Sequence, residues 1–152
     1  MSILYFSAIS AFFLSLVAKI LADTFLTERV SVLGSFAGLQ YATNAGVAFS
    51  ITFPGQLQNI FIAAALIALI FAARYAKTTW SRIAFGLIIG GALGNIVDRL
   101  RDGLVTDFFQ VGTFPIFNVA DSCITIGVGL LLLEAVMQWS QKRTKHQVPI
   151  SR

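Results

Sequence analysis

A carboxylate inside an apolar chain is costly unless it has work to do, and this chain of 152 residues carries five aspartates: Asp23, Asp98, Asp102, Asp107 and Asp121. Asp107 sits in Val105-Thr106-Asp107-Phe108-Phe109, whose apolar and aromatic flanks pull it toward a bilayer. Asp121 lies one turn inside an apolar helical stretch, where insertion scales charge an ionised aspartate about 2.5 to 3.5 kcal/mol at the centre and less near an end. Intramembrane carboxylates are therefore candidates for function. Two carboxylates about 4 Å apart at an effective dielectric near 20 repel by roughly 4 kcal/mol, or about three pKa units. If Asp107 and Asp121 meet, they share one proton, so that one can take a proton from water while the other donates to a carbonyl. The same pair could hold a divalent cation, but metal sites want more ligands, and the single histidine, His146, lies in the tail. No metal and no cofactor are expected. Cys123 has no base nearby in sequence and reads as a small core residue, so no nucleophilic triad is available.

Other polar residues cluster in sequence near these two. Asn95, Asp98 and Arg99 recur at i, i+3 and i+4, one face of a helix, with a structural network and a functional role both open for Asp98. Gly90 and Gly94 form a small-residue pair suited to close helix contact in lipid. Asn118 followed three residues later by Asp121 matches a capping box. Asn44-Ala45-Gly46-Val47-Ala48-Phe49-Ser50 joins an amide to Gly46 and small residues; it reads as a turn or as backbone that a ligand can approach closely. Glu134 is a weaker candidate near the far end of the last apolar stretch.

The elements that must position these groups are membrane helices. Hydrophobic residues make up 57% of the chain and charged residues only 12%, about half the roughly 25% of a soluble domain. Four stretches approach the 17 to 25 residues needed to span a hydrocarbon core: about 3–22, 57–73, 83–97 and 119–139. The first has no basic residue before Lys19 and reads as a retained helix rather than a cleaved leader. The chain reads as one polytopic domain over 1–141 with a basic tail, 142–152. Seven of its eleven basic residues, Arg74, Lys77, Arg82, Lys142, Arg143, Lys145 and Arg152, fall on one side of four such spans. By the positive-inside rule that side, with both termini, is cytoplasmic. The basic pI near 9.6 is thereby explained without nucleic acid. The aspartates gather toward the opposite face, and the uncharged segment 30–53 contains possible strands such as 39–43.

Four motifs in register resemble one family, the bacterial lipoprotein signal peptidases (signal peptidase II): Asn44-Ala45-Gly46-Val47-Ala48-Phe49, Gly94-Asn95-Ile96-Val97-Asp98-Arg99, Val105-Thr106-Asp107-Phe108 and Phe117-Asn118-Val119-Ala120-Asp121. The resemblance covers nearly the whole chain. It implies an all-α membrane protein of four transmembrane helices, with a small extracytoplasmic β-cradle between helices 1 and 2. It further implies an intramembrane aspartic endopeptidase of the bacterial inner membrane, cutting prolipoproteins before a diacylglyceryl-modified cysteine, with its site near the outer face. Carried over by motif, Asp107 and Asp121 are the catalytic pair, Asn44, Gly46, Asn95, Arg99 and Asn118 line the substrate site, and Asp23 and Asp98 support it. Lipid-modified prolipoproteins and membrane lipid are the expected partners of a monomer. Two departures stand out. The family's lysine four residues after an aspartate at the end of span one is Thr27 here, counted from Asp23, so its role is missing or moved, and the stretch from Asp107 to Asp121 is short. The rival from another class is a small transporter or proton relay using the outer-face carboxylates.

Overall fold

The computed structural model describes residues 1–46 and 57–147, without the side chains of 144–147. Val47 to Ser50 of the amide motif, residues 51–53 of the uncharged segment, Arg152 and the side chains of Lys145 and His146 lie outside this description. Four helices and three strands follow in the order α1 (Ser2–Phe25), β1 (Val30–Leu33), β2 (Ala37–Asn44), α2 (Leu57–Ala73), α3 (Thr79–Asp102), β3 (Val105–Val111) and α4 (Val119–Gln147). Three helices, α1, α3 and the 119–143 part of α4, are long and apolar enough to cross a membrane, while α2 is a shorter apolar helix of 17 residues. At 1.5 Å per residue, the 24 residues of α1 and of α3 each span about 36 Å. Both ends of α3 are written in the sequence. Thr78 and Ser81 form a reciprocal capping box, and Gly103, at φ +83°, closes the other end by donating its N–H to the Arg99 carbonyl.

The helix α3 is the centre of the bundle, with α1 and α4 packed on it and α2 resting chiefly on it. Glycines permit this closeness: a Cβ on Gly90 would run into the Ala8 carbonyl of α1, and one on Gly94 would lie 2.9 Å from the Ser15 Cβ. On the α4 side, a Cβ on Gly91 would meet the Ala120 carbonyl. The packing role expected of Gly90 and Gly94 is therefore their role in the fold. Gly90→Leu should lower the thermal midpoint in detergent by the equivalent of about 1–3 kcal/mol, the usual cost of overpacking. Gly129→Ala, where a new Cβ meets nothing within 4 Å, should leave the midpoint unchanged; equal effects would mean the α1–α3 contact is not tight.

The sheet corrects the expected cradle. It is antiparallel in the order β1-β2-β3, so the predicted segment 39–43 is indeed in a strand, but the third strand comes from the connection between α3 and α4. That strand carries Asp107, paired opposite Ala42 of β2, with Asn44 opposite Val105. Residues 105–108 of β3 are all buried, so the strand lacks the polar–apolar alternation that marks a half-exposed strand in sequence. While α2 keeps the predicted bounds, the other helices outrun theirs, because a polar turn at the end of α1 and polar turns at both ends of α3 continue the helix beyond the apolar core, and α4 extends into the basic tail as far as Gln147.

Candidate active site

Five elements, α1, β2, α3, β3 and α4, bring their polar residues together at the sheet end of the bundle. The first turn of α4 starts it: Asn118 and Asp121 form the predicted capping box, with the Asp121 N–H donating to Asn118 Oδ1 at 3.0 Å and the Asn118 N–H donating to Asp121 Oδ2 at 3.1 Å. A cap needs nothing more, yet Asn118 is fully buried and its spare Nδ2 donates to Asp107 Oδ1 on β3 at 2.6 Å. One carboxamide thus touches both aspartates. The Asn95 Nδ2 of α3 donates to Asp121 Oδ1 at 2.8 Å, and its Oδ1 accepts from Asn118 Nδ2 at 3.2 Å. Capping and site are one structure, so the structural and functional readings of Asn118 do not compete.

The unexpected member is Lys19. Lying within the apolar α1, it is 2% exposed, pairs with Asp98 at 2.8 Å and donates to Asn95 Oδ1 at 2.6 Å. A buried cation therefore stands at the site, four residues before Asp23 rather than four after it. Asp98 also accepts from the Thr106 N–H at 3.0 Å, which ties α3 to β3. Asp23 is brought not to the aspartate pair but to the rim, accepting from Thr106 Oγ1 at 2.9 Å and from Arg101 Nη1 at 3.1 Å. Arg99 donates through Nη2 to the Gly46 carbonyl, while its buried Nε has no partner among the described residues. Asn44 accepts from the Gly46 N–H at 2.8 Å in a turn of the predicted kind and also hydrogen-bonds Asp107.

Charge decides what this cluster can do. Lys19 and Arg99 bring two cations, while Asp98, Asp107 and Asp121 bring three carboxylates. Fully ionised, the set is one negative charge in excess; with a single proton it is neutral, which a buried site favours. Asp107 is the group on which that proton is expected. Its carboxyl is pushed up to about 6, first by burial and then by the charge of Asp121, against the opposing pull of hydrogen bonds from Asn118 and Asn44. Among the described residues, no group of three or more His, Cys, Asp or Glu is arranged to hold a metal ion.

A cavity of about 640 Å³ opens from the aspartates into the apolar bundle. Asn44, Asn95, Arg99, Asp107 and Asp121 line its polar head, and Ile62 of α2 and Ile124 of α4 line its apolar flank. All the residues carried over by motif, apart from the rim residue Asp23 and the supporting Asp98, thus contribute side chain or backbone to one cavity or its direct hydrogen-bond network.

An apolar helical bundle with a carboxylate-bearing cavity at its sheet end has the form of a membrane-embedded enzyme. One solved relative, a bacterial membrane enzyme structure obtained by the in meso method at 2.3 Å, superposes with a TM-score of 0.80 at 28% identity, covering 93% of this chain and 92% of that one. A second, at 1.9 Å, gives 0.77 at 30% identity over 89% and 93%. The family model described as signal peptidase (SPase) II matches residues 7–137. The chain is 41% identical over 144 residues to the lipoprotein signal peptidase of Dehalococcoides mccartyi, covering 82% of this chain and 89% of that one. It is 40% identical over 124 residues to that of Symbiobacterium thermophilum, covering 74% and 78%. The chain belongs to the signal peptidase II family and is a membrane peptidase.

Proposed function

We propose that the chain is an intramembrane aspartic endopeptidase that removes signal peptides from diacylglyceryl-modified prolipoproteins, cutting before the lipidated cysteine. The single observation that carries the reading is Asn118, one buried carboxamide bonded to both Asp107 and the head of Asp121's helix at the mouth of an apolar cavity. Asp121 acts as general base on a water and Asp107 as general acid toward the scissile carbonyl, without a covalent intermediate. Arg99, whose Nε has no partner among the described residues, donates to carbonyls of the substrate or its lipid, and the Gly46 carbonyl, by accepting from Arg99 Nη2, holds that guanidinium in place. Asp98 and Asp23 support the frame.

The substrate is a hydrophobic helix that reaches the site from within the bilayer, and the apolar flank between Ile62 and Ile124 fits such an arrival. Under this reading the chain is a monomeric, single polytopic domain of the bacterial inner membrane, over 1–141. The helix α2, about 26 Å long from its 17 residues, is the fourth span, at the short end of the usual range. The basic residues of the α2–α3 connection and the tail face the cytoplasm, and the site faces outward. A transporter or relay would want carboxylates graded through the depth. Glu134, the one acid toward the other end, is instead engaged by Thr78 Oγ1 at 2.7 Å, where it secures the start of α3.

The pH–rate profile tests the assignment of acid and base. Asp107 titrates near 6 rather than 3.8, so its acid form is lost as pH rises through about 6, and kcat/KM measured on a lipidated prolipoprotein in detergent should decline on that alkaline side. The Asp107→Glu variant, if active, should move this limb. A rate that stays constant from about pH 5 to pH 8 would contradict an essential proton on Asp107.

A further inference from the structure

The amide of Asn95 has two orientations, and only one of them serves the aspartate pair. With Oδ1 toward α1 it accepts from Lys19 and from Asn118, while its Nδ2 donates to Asp121. Flipped, it would aim Nδ2 at the ammonium and turn its oxygen onto the Asp121 carboxylate, placing donor against donor and acceptor against acceptor. Of the two donors holding the observed orientation, Lys19 is charged and at 2.6 Å, whereas the Asn118 amide is neutral and at 3.2 Å. Charge-assisted hydrogen bonds are shorter and roughly twice as strong as neutral ones, so the lysine dominates. Lys19 lies 76 residues from Asn95 in sequence and on a different helix, and its bonds to Asp98 and, at 3.4 Å, to the Gly94 carbonyl fasten it in place.

Resting on the aspartic reading above, we propose that Lys19 is a positioning residue for the proton transfer: by locking the amide of Asn95 it keeps Nδ2 on Asp121 and so holds that aspartate as the base of the pair. The ionisable groups that face this network are Lys19 from α1, Asp98 and Arg99 from α3, Asp107 from β3 and Asp121 from α4. Lys19 reaches no substrate atom; it acts through Asn95. The alternative is that Lys19 merely neutralises Asp98, and the two roles separate when both charges are removed together.

The experiment compares wild type, Lys19→Met and the double variant Lys19→Met/Asp98→Asn, each purified in detergent and assayed on a diacylglyceryl-modified prolipoprotein. Lys19→Met alone leaves Asp98 buried and unpaired, and it should fold poorly. The double variant preserves net charge and retains an acceptor oxygen for the Thr106 N–H, so its thermal midpoint should approach that of wild type. Its kcat should nevertheless stay about tenfold or more below wild type with KM within about twofold, because Asp121 loses its fixed donor while the substrate contacts remain. A folded double variant with wild-type kcat, or one whose loss falls on KM rather than kcat, would overturn the positioning role and leave Lys19 as a counter-ion. Asp107→Asn and Asp121→Asn, assayed alongside, keep the two levels apart: activity in either of them defeats the aspartic reading itself, whereas their inactivity beside an unaffected double variant defeats only the role of Lys19.

Discussion

Asp107→Asn should abolish cleavage and, at neutral pH, make the folded protein more stable. Loss of general acid–base catalysis costs about 10² to 10⁴ in rate, and an amide cannot deliver the proton that the carboxyl holds. Stability moves the other way for a reason that can be signed. The Asp107 carboxyl is raised from 3.8 to about 6 in the folded chain by burial and by the charge of Asp121. The folded state therefore binds its proton more tightly than the unfolded state does. That contribution is fully present below about pH 4 and is lost as pH rises through about 6. Asparagine mimics the protonated acid at every pH: like that acid it keeps one carbonyl oxygen for the hydrogen bonds of Asn118 and Asn44 and can turn a donor toward Asp121. The thermal midpoint of Asp107→Asn should exceed wild type near pH 7 and converge with it near pH 4.

Asp121→Asn should be equally inactive but less stable. The Asp121 carboxylate accepts from Asn95 Nδ2 through one oxygen and from the Asn118 N–H through the other. An amide offers only one acceptor, so one buried donor loses its partner, at a cost of about 1–3 kcal/mol. Opposite shifts in thermal midpoint for two equally inactive variants are the signature of this site. Equal midpoints near pH 7 would mean that the two carboxylates do not occupy the environments described.

The second large effect falls on Asn118. Asn118→Ala removes the cap of α4, about 1 kcal/mol by itself, together with the donor to Asp107 and the donor to Asn95 Oδ1. The combined loss should lower stability by about 2–4 kcal/mol and cleavage by about a hundredfold or more. Asn118→Asp separates the two duties. It keeps an oxygen for the Asp121 N–H, so the helix start survives, but it sets a carboxylate oxygen against Asp107 Oδ1 where the amide now approaches to 2.6 Å. Cleavage should vanish while helical content measured by circular dichroism is retained. Substantial activity in Asn118→Asp would show that the amide donor is dispensable.

What could be seen in the sequence depended on how local each cause was. The apolar helices follow from apolar length, the face shared by Asn95, Asp98 and Arg99 from helical spacing, and the Asn118–Asp121 cap from a three-residue interval; the structure builds these, with three of the four helices long and apolar enough to cross a membrane. The strand β3 is not visible in the sequence because burial of residues 105–108 erases alternation, so the pairing that holds Asp107 against β2 comes from the structure alone. Lys19 was missed for a different reason. Its partners Asn95 and Asp98 lie more than 70 residues away, and no spacing rule connects helices. Two signals could have found it: a lysine inside an apolar span, here toward its C-terminal end, is itself a candidate for function, and three carboxylates converging with only Arg99 leave a charge that calls for a second cation. Reading the family's lysine position from Asp23 hid it, since Asp23 belongs to the rim with Thr106 and Arg101.

The most direct measurement is an endpoint assay of the purified chain, in detergent, on one prolipoprotein prepared with and without its diacylglyceryl group, with the products weighed by mass spectrometry. Wild type should convert the lipidated precursor to a product that begins at the modified cysteine, while Asp107→Asn and Asp121→Asn leave it intact. Cleavage by either variant at the wild-type rate, or no cleavage of the lipidated precursor by wild type, would contradict an aspartate pair acting on lipid-modified substrates.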